Sequence, residues 1–403
     1  MQDEETLKRR IRDTVCGNID LSREISDEEI RQLIRKCLME EIQGSYCSIR
    51  QKEEIAGWVF DSIRKLDVLQ ELIEDESISE IMINGPNDIF VEKSGSIVRM
   101  EKRFESKERL EDVIQQIVSG VNRTVNESSP IADARLENGS RVNIVLSPPA
   151  INGPVVTIRR FPECAITMER LTELDSISTE AAEFLKEAVR KGVNIFISGG
   201  TGSGKTTFLN ALARFIPPDN RIITIEDSAE LQIRGIPNLI RLETRNSTAE
   251  GCSEITIRDL IKSALRMRPD RIIVGEVRGT EAIDMLQAFN TGHDGSLSTG
   301  HANSARDMLY RLETMVLMGL DIPLPAVRRQ ISSGIDILVH LARMGDRSRR
   351  VVEIYEVMEM EGSEIVLHPL FMRKRGGAGQ GDTEIPPLIR VGDVKAIYKL
   401  REV

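Results

Sequence analysis

One segment limits the fold of this chain more than any other. Gly199-Gly200-Thr201-Gly202-Ser203-Gly204-Lys205-Thr206 reads G-x-x-x-x-G-K-T without a mismatch. An apolar run from Val193 to Ile197 precedes it, as suits a buried parallel strand, and Phe208-Leu209-Asn210-Ala211-Leu212 follows with helical spacing. Strand, glycine-rich turn and helix in that order require an α/β layer. Glycines let successive N–H groups turn inward, and the helix behind offers its positive N-terminus, so the loop suits a phosphate chain. Gly200, Thr201, Gly202, Ser203, Gly204 and Thr207 are the expected cradle. Lys205 is the expected cation on the β- and γ-phosphates, and Thr206 the hydroxyl for Mg²⁺. The plainer reading is a strand-to-helix turn rich in glycine. Both flanks fit a nucleoside triphosphate better.

At 403 residues the chain exceeds what one ordinary core organises, and two or three domains are expected. With 40% hydrophobic and 29% charged residues it has the composition of a globular protein. No stretch has the apolar length of a membrane span, and the acidic start Met1-Gln2-Asp3-Glu4-Glu5 is unlike a secretory signal, so a cytoplasmic protein is expected. A net charge of −10 argues against nucleic acid as the main partner. Cys16, Cys37, Cys47, Cys164 and Cys252 form no C-x-x-C pair, which excludes the usual zinc ribbon and fits reduced thiols.

Three patterns follow one another along the chain. Residues 1–66 read as a helical region: Ser26-Asp27-Glu28-Glu29 is a capping box, and Ile30, Leu33, Ile34, Cys37, Leu38 and Ile42 make one apolar face. That face suits either neighbouring helices or a partner surface. Residues 67–165 change to short strands and tight turns around one helix, Arg109 to Val121, as in an α+β domain with a largely antiparallel sheet. Residues 166–375 alternate strands with helices, which predicts a parallel sheet covered on both faces, and hairpin-like strands follow Ile335. Residues 376–403 begin with a glycine-rich spacer, Gly376 to Asp382, expected to be flexible.

Ligands gather at the carboxyl ends of parallel strands, where this sequence places acids and imidazoles. One strand ends in Glu226-Asp227, with Glu230 beyond; another ends in Gly275-Glu276-Val277-Arg278; a third runs into Gly300-His301, with His293 ahead of it. Hydrolysis of a γ-phosphate needs a group to orient water, a metal to screen charge and cations for the transition state. Each residue has a plainer reading too. Glu226, Asp227 and Glu230 suit a helix cap and a solvated edge, and His293 suits a hydrogen bond to a loop carbonyl.

The sequence resembles the secretion ATPases of the type II/type IV secretion superfamily, and most closely their CpaF/TadA branch, which drives tight-adherence (Flp) pili. The resemblance rests on Ile78 to Gly85, Asp133 to Asn143, Thr157 to Phe161, the phosphate loop, Ile225 to Leu231, Arg268 to Gly279 and Asn290 to Asn303. It covers roughly residues 65 to 345 in the order the family keeps. It implies an α/β multidomain chain with a PAS-like α+β domain ahead of a RecA-like P-loop motor domain. It also implies a ring-shaped homohexamer with ATP and Mg²⁺ between the two domains, and inner-membrane platform proteins as partners. It makes Glu230 a catalytic glutamate, places Glu226 and Asp227 near the metal, and matches Glu276 to the Walker B glutamate. His293 and His301 become γ-phosphate sensors, and Arg135, Arg141 and Arg159 or Arg160 become cations that read ATP. Gly275 stands where many P-loop ATPases carry an aspartate, and two departures separate the chain from other branches: it lacks the tetracysteine zinc element of type II assembly ATPases and carries the extra helical N-terminal region of the CpaF-like branch. The alternative of the same core, a RecA/helicase-like nucleic-acid motor, lacks a basic or aromatic stripe.

Overall fold

A computed structural model describes residues 2–18, 25–42, 47–93, 95–120, 124–160, 166–245, 253–373, 385–397 and 400. The chain divides into two compact units, Met1–Glu163 and Cys164–Val403. The glycine-rich spacer lies outside the described residues.

The first unit opens with three helices, α1 (Gln2–Asn18), α2 (Asp27–Glu41) and α3 (Ile49–Arg64). Their apolar faces meet in one core around Ile11, Val15, Ile34, Ile55, Val59 and Phe60. The face read from Ile30 to Ile42 is therefore spent on neighbouring helices. Ser26 and Ser48 start α2 and α3 with capping boxes, each hydroxyl accepting the N–H three residues on.

After α4 (Val68–Glu74) come β1 (Ile78–Asn84), β2 (Ile89–Lys93), β3 (Ser96–Arg99), α5 (Lys107–Ser119), β4 (Ile131–Arg135), β5 (Arg141–Val145) and β6 (Val155–Arg159). The six strands pair in the order β3-β2-β1-β6-β5-β4, antiparallel throughout. Alternation decides the faces: Ile81, Ile83, Val142, Ile144, Val156 and Ile158 are buried with Leu110, Val113, Ile114 and Ile117 of α5. The residues between them look away from that core.

The second unit holds α6 (Met168–Glu173), α7 (Thr179–Arg190), β7 (Ile195–Gly199), α8 (Lys205–Ala213), β8 (Ile222–Glu226) and β9 (Leu239–Glu243). It continues with α9 (Ile257–Ala264), β10 (Arg271–Val277), α10 (Ala282–Phe289), β11 (Leu297–His301), α11 (Ala305–Gly319) and α12 (Leu324–Gly334). β12 (Ile337–Arg343), β13 (Arg349–Glu361), β14 (Glu364–Arg373) and β15 (Leu388–Arg390) complete it. All nine strands form one sheet, β15-β14-β13-β12-β7-β11-β10-β8-β9. The run from β12 to β9 is parallel, and the last three strands add antiparallel. The hairpin-like strands after Ile335 thus extend this sheet on the β7 side. Cores on its two faces, one with α7 and α8 and the other with α9 to α12, cover it as the alternating pattern predicts. Residues 385–397 belong to the same body: β15 pairs with β14, and buried Glu356 accepts the N–H groups of Lys395, Ala396 and Ile397 at 2.8, 2.6 and 2.9 Å. Among the described residues no helix is long and apolar enough to cross a membrane.

Candidate nucleotide site

β7 ends at Gly199 between β12 and β11, and α8 starts at Lys205. The chain leaves β7 and returns three strands away at β8, with β11 and β10 between them, so a crevice opens at the β7 end, where open α/β sheets bind ligands. Gly202 and Gly204 take φ values of +69° and +95°, which favour glycine. A Cβ on Gly199 would stand 2.5 Å from both Ser203 Oγ and Leu341 O, so this position tolerates no side chain.

Lys205 is only 7% exposed. Its Nζ donates to the carbonyls of Gly199 and Gly200 at 3.1 and 3.2 Å and faces His301 Nδ1 at 3.0 Å. With Nδ1 as acceptor, the imidazole carries its proton on Nε2, which stands 2.9 Å from Glu276 Oε1 without the alignment of a hydrogen bond. Burial, and then the Lys205 charge, hold His301 below the usual histidine range, so it is neutral near pH 7. Arg278 closes the chain of contacts: it donates to Glu276 Oε2 at 3.0 Å and lies 3.6 Å from Asp227 Oδ2. Four strand ends thereby meet around the loop. A cleft of about 460 Å³ opens beside Gly200, Thr201 and His301, with Asn303, Asp307 and Arg311 on its wall.

Glu226 ends β8 at 3% exposure. Its Oε2 accepts the N–H groups of Glu230 and Leu231 at 2.5 and 2.8 Å. Burial pushes the carboxyl up to about 7 against the pull of those two N–H groups. Asp227 is exposed and takes a hydrogen bond from Thr244 at 3.0 Å. Thr206 is half-buried in the first turn of α8.

His293 needs correction. His301 pairs with Gly199 at the carboxyl end of β11, whereas His293 lies ahead of Leu297, which pairs with Ile195 at the start of β7. Strands rise about 3.3 Å per residue, so the full length of β7 separates His293 from the phosphate loop of the same chain. Its Nδ1 lies 3.0 Å from the Ala288 carbonyl, and the segment behind it is tied to Asn194, whose Oδ1 accepts Gly295 and Ser296 N–H. This is the carbonyl-bonded histidine of the plainer reading.

In the first unit Arg135, Arg141 and Arg159 form one row. Arg135 pairs with Arg141 across β4 and β5, and Arg141 with Arg159 across β5 and β6; Glu80 stands next in line on β1, 3.8 Å from Arg159. Directly opposed residues share a face, here the one turned away from α5. Arg160 falls on the other side of the strand, where it donates to the Asp75 and Ile78 carbonyls. Arg160 is a brace for β1.

Two contributors escaped the sequence reading. Arg278 carried a signal, since residues two apart on a strand share a face and it follows Glu276 by two. Arg349 carried none: β13 brings its side chain against Gly204, with Cδ 3.4 Å from where a Cβ would stand.

The sequence pattern of the type II/IV secretion system protein family matches residues 63–375, three-quarters of the chain and both units in part. The chain belongs to that family. It is 33% identical to the conjugal transfer protein TrbB of Rhizobium radiobacter over 303 residues, covering 73% of this chain and 90% of that one. It is equally 33% identical to the type IV secretion system protein PtlH of Bordetella pertussis, covering 72% and 93%. Two solved structures share the fold at 21% identity: the Legionella pneumophila ATPase DotB, with TM-score 0.53 over 73% of this chain and 80% of that one, and the pilus retraction motor PilT with bound ADP, with 0.51 over 75% and 80%. As a member with an intact phosphate loop, this type II/IV secretion protein is an ATPase.

Proposed function

We propose that the chain is an ATP-hydrolysing motor that works as a homohexamer on an inner-membrane platform of a pilus or secretion machine, in the tight-adherence branch. The carrying observation is the contact chain Lys205–His301–Glu276–Arg278, which joins the phosphate loop to two other strand ends. Lys205 is held by loop carbonyls and a neutral imidazole, all of which it can exchange for phosphate oxygens. That exchange frees His301 to turn toward the γ-phosphate, and Glu276 feels it directly. Glu230 is the proposed water-orienting glutamate, on a turn fixed by Glu226.

The residues present fit Mg²⁺: Thr206 and Asp227 offer hard oxygen donors, and Glu226 Oε1 is buried with no partner in the protein. Bound there with phosphate oxygens and water, the metal would screen phosphate charge. The row Arg135–Arg141–Arg159 is the proposed second set of phosphate cations, brought to ATP in the assembled ring by the PAS-like unit. The family resemblance puts such a protein at the cytoplasmic face of the membrane, without nucleic acid. Light scattering with a non-hydrolysable ATP analogue tests the assembly. A sixfold mass is expected, and a monomer at every nucleotide concentration would overturn the ring.

A further inference from the structure

Position 275 is glycine for want of room. Val274 of β10 pairs with Ile225 of β8, so Gly275 and Glu226 come next, side by side. A Cβ at 275 would stand 2.9 Å from Glu226 Cγ and 3.6 Å from its Oε2. β10 shifts register against β11 between Val274 and Val277, but Gly275 has no positive φ, so its backbone conformation does not demand glycine. The Gly275 carbonyl is also fixed, accepting the Thr299 hydroxyl at 2.8 Å.

We infer that Glu226 and Gly275 form one functional pair: the acid missing from β10 is supplied by β8, and glycine at 275 is the space it fills. From there Glu226 acts as a positioning residue, because Oε2 holds the N–H groups of Glu230 and Leu231 and so fixes the turn that presents Glu230. The inference rests on the ATPase reading for its activity arm only; its stability arm needs no nucleotide.

The experiment is a double-mutant cycle with Gly275→Ala, Glu226→Ala and the pair, melted without nucleotide. Gly275→Ala is expected to lower Tm by about 4 °C or more, the scale of an overpacked core, and to lower it by less than about 1 °C when Glu226 is already alanine. Equal losses in both backgrounds, or no loss in either, overturn the pairing. In turnover, Glu226→Ala should reduce kcat about a hundredfold with KM for ATP within about threefold, as loss of a water-orienting group does. Glu226→Ala with Gly275→Asp returns a carboxylate to the same volume and should regain at least tenfold of that kcat. A double variant no faster than Glu226→Ala would overturn the positioning role. If wild type hydrolyses no ATP while the melting cycle shows the coupling, the ATPase reading has failed and the pairing stands.

Discussion

At the strand ends of the second unit, cations and acids meet one another: Lys205 faces His301, His301 faces Glu276, and Glu276 holds Arg278. Across the open face of the first unit's sheet, three arginines stand in adjacent register positions with a single glutamate at the end of the row. The first arrangement is close to balanced and changes by exchanging partners. The second concentrates like charge, which costs stability when residues are directly opposed. The comparison teaches that the two units arrange charge differently, one by contacts between cation, imidazole and acid at strand ends and the other by a row of like charges across neighbouring strands.

The largest expected effect separates the two. Lys205→Ala deletes the central cation of the balanced network and should abolish ATP hydrolysis in a steady-state assay; turnover within tenfold of wild type would remove the loop from catalysis. Arg141→Ala takes the middle of the row and should lower kcat up to about a thousandfold, the scale of an arginine that stabilises the transition state, with a smaller change in nucleotide affinity. Equal losses of affinity and kcat would make the row a binding device alone. Glu230→Gln and Glu276→Gln should each slow hydrolysis about a hundredfold while fluorescent ATP analogues still bind. If only one does so, that residue orients water.

Stability sharpens the same contrast. His340, buried beneath the loop with Nδ1 2.8 Å from Ser198 Oγ, is pushed down to about 4 by burial. The unfolded chain takes up its proton near pH 6.5 and the folded one does not, so this group's contribution is complete above about 6.5 and lost as pH falls toward about 4. Chemical denaturation across that window should show about 3 kcal/mol less loss for His340→Gln than for wild type. Arg141→Ala removes the middle of three directly opposed arginines on the sheet face away from α5 and should cost the first unit less than about 1 kcal/mol. A loss above about 1 kcal/mol would mean the arginine row is structural.

Local grammar made much of this legible. The loop, the acids at Glu226 and Glu276, and His301 all follow from strand polarity and spacing. So did the capping box at Ser26. What failed were facts of the third dimension. His293 and His301 flank one strand, and only the register against β7 shows that they sit at opposite edges. β9 has no clean alternation, its residues being half-buried or exposed, so it left no period to read. Gly275 looked like a defect until its neighbour on β8 was known, and Arg349 reaches the loop only through a hairpin that starts two strands away.

The central claim is that hydrolysis belongs to an assembled ring in which both units act on ATP. Turnover per subunit, measured against protein concentration, tests it most directly. A ring predicts specific activity that rises steeply with concentration as subunits associate and then levels off. Constant specific activity down to concentrations where light scattering shows only monomer would contradict it.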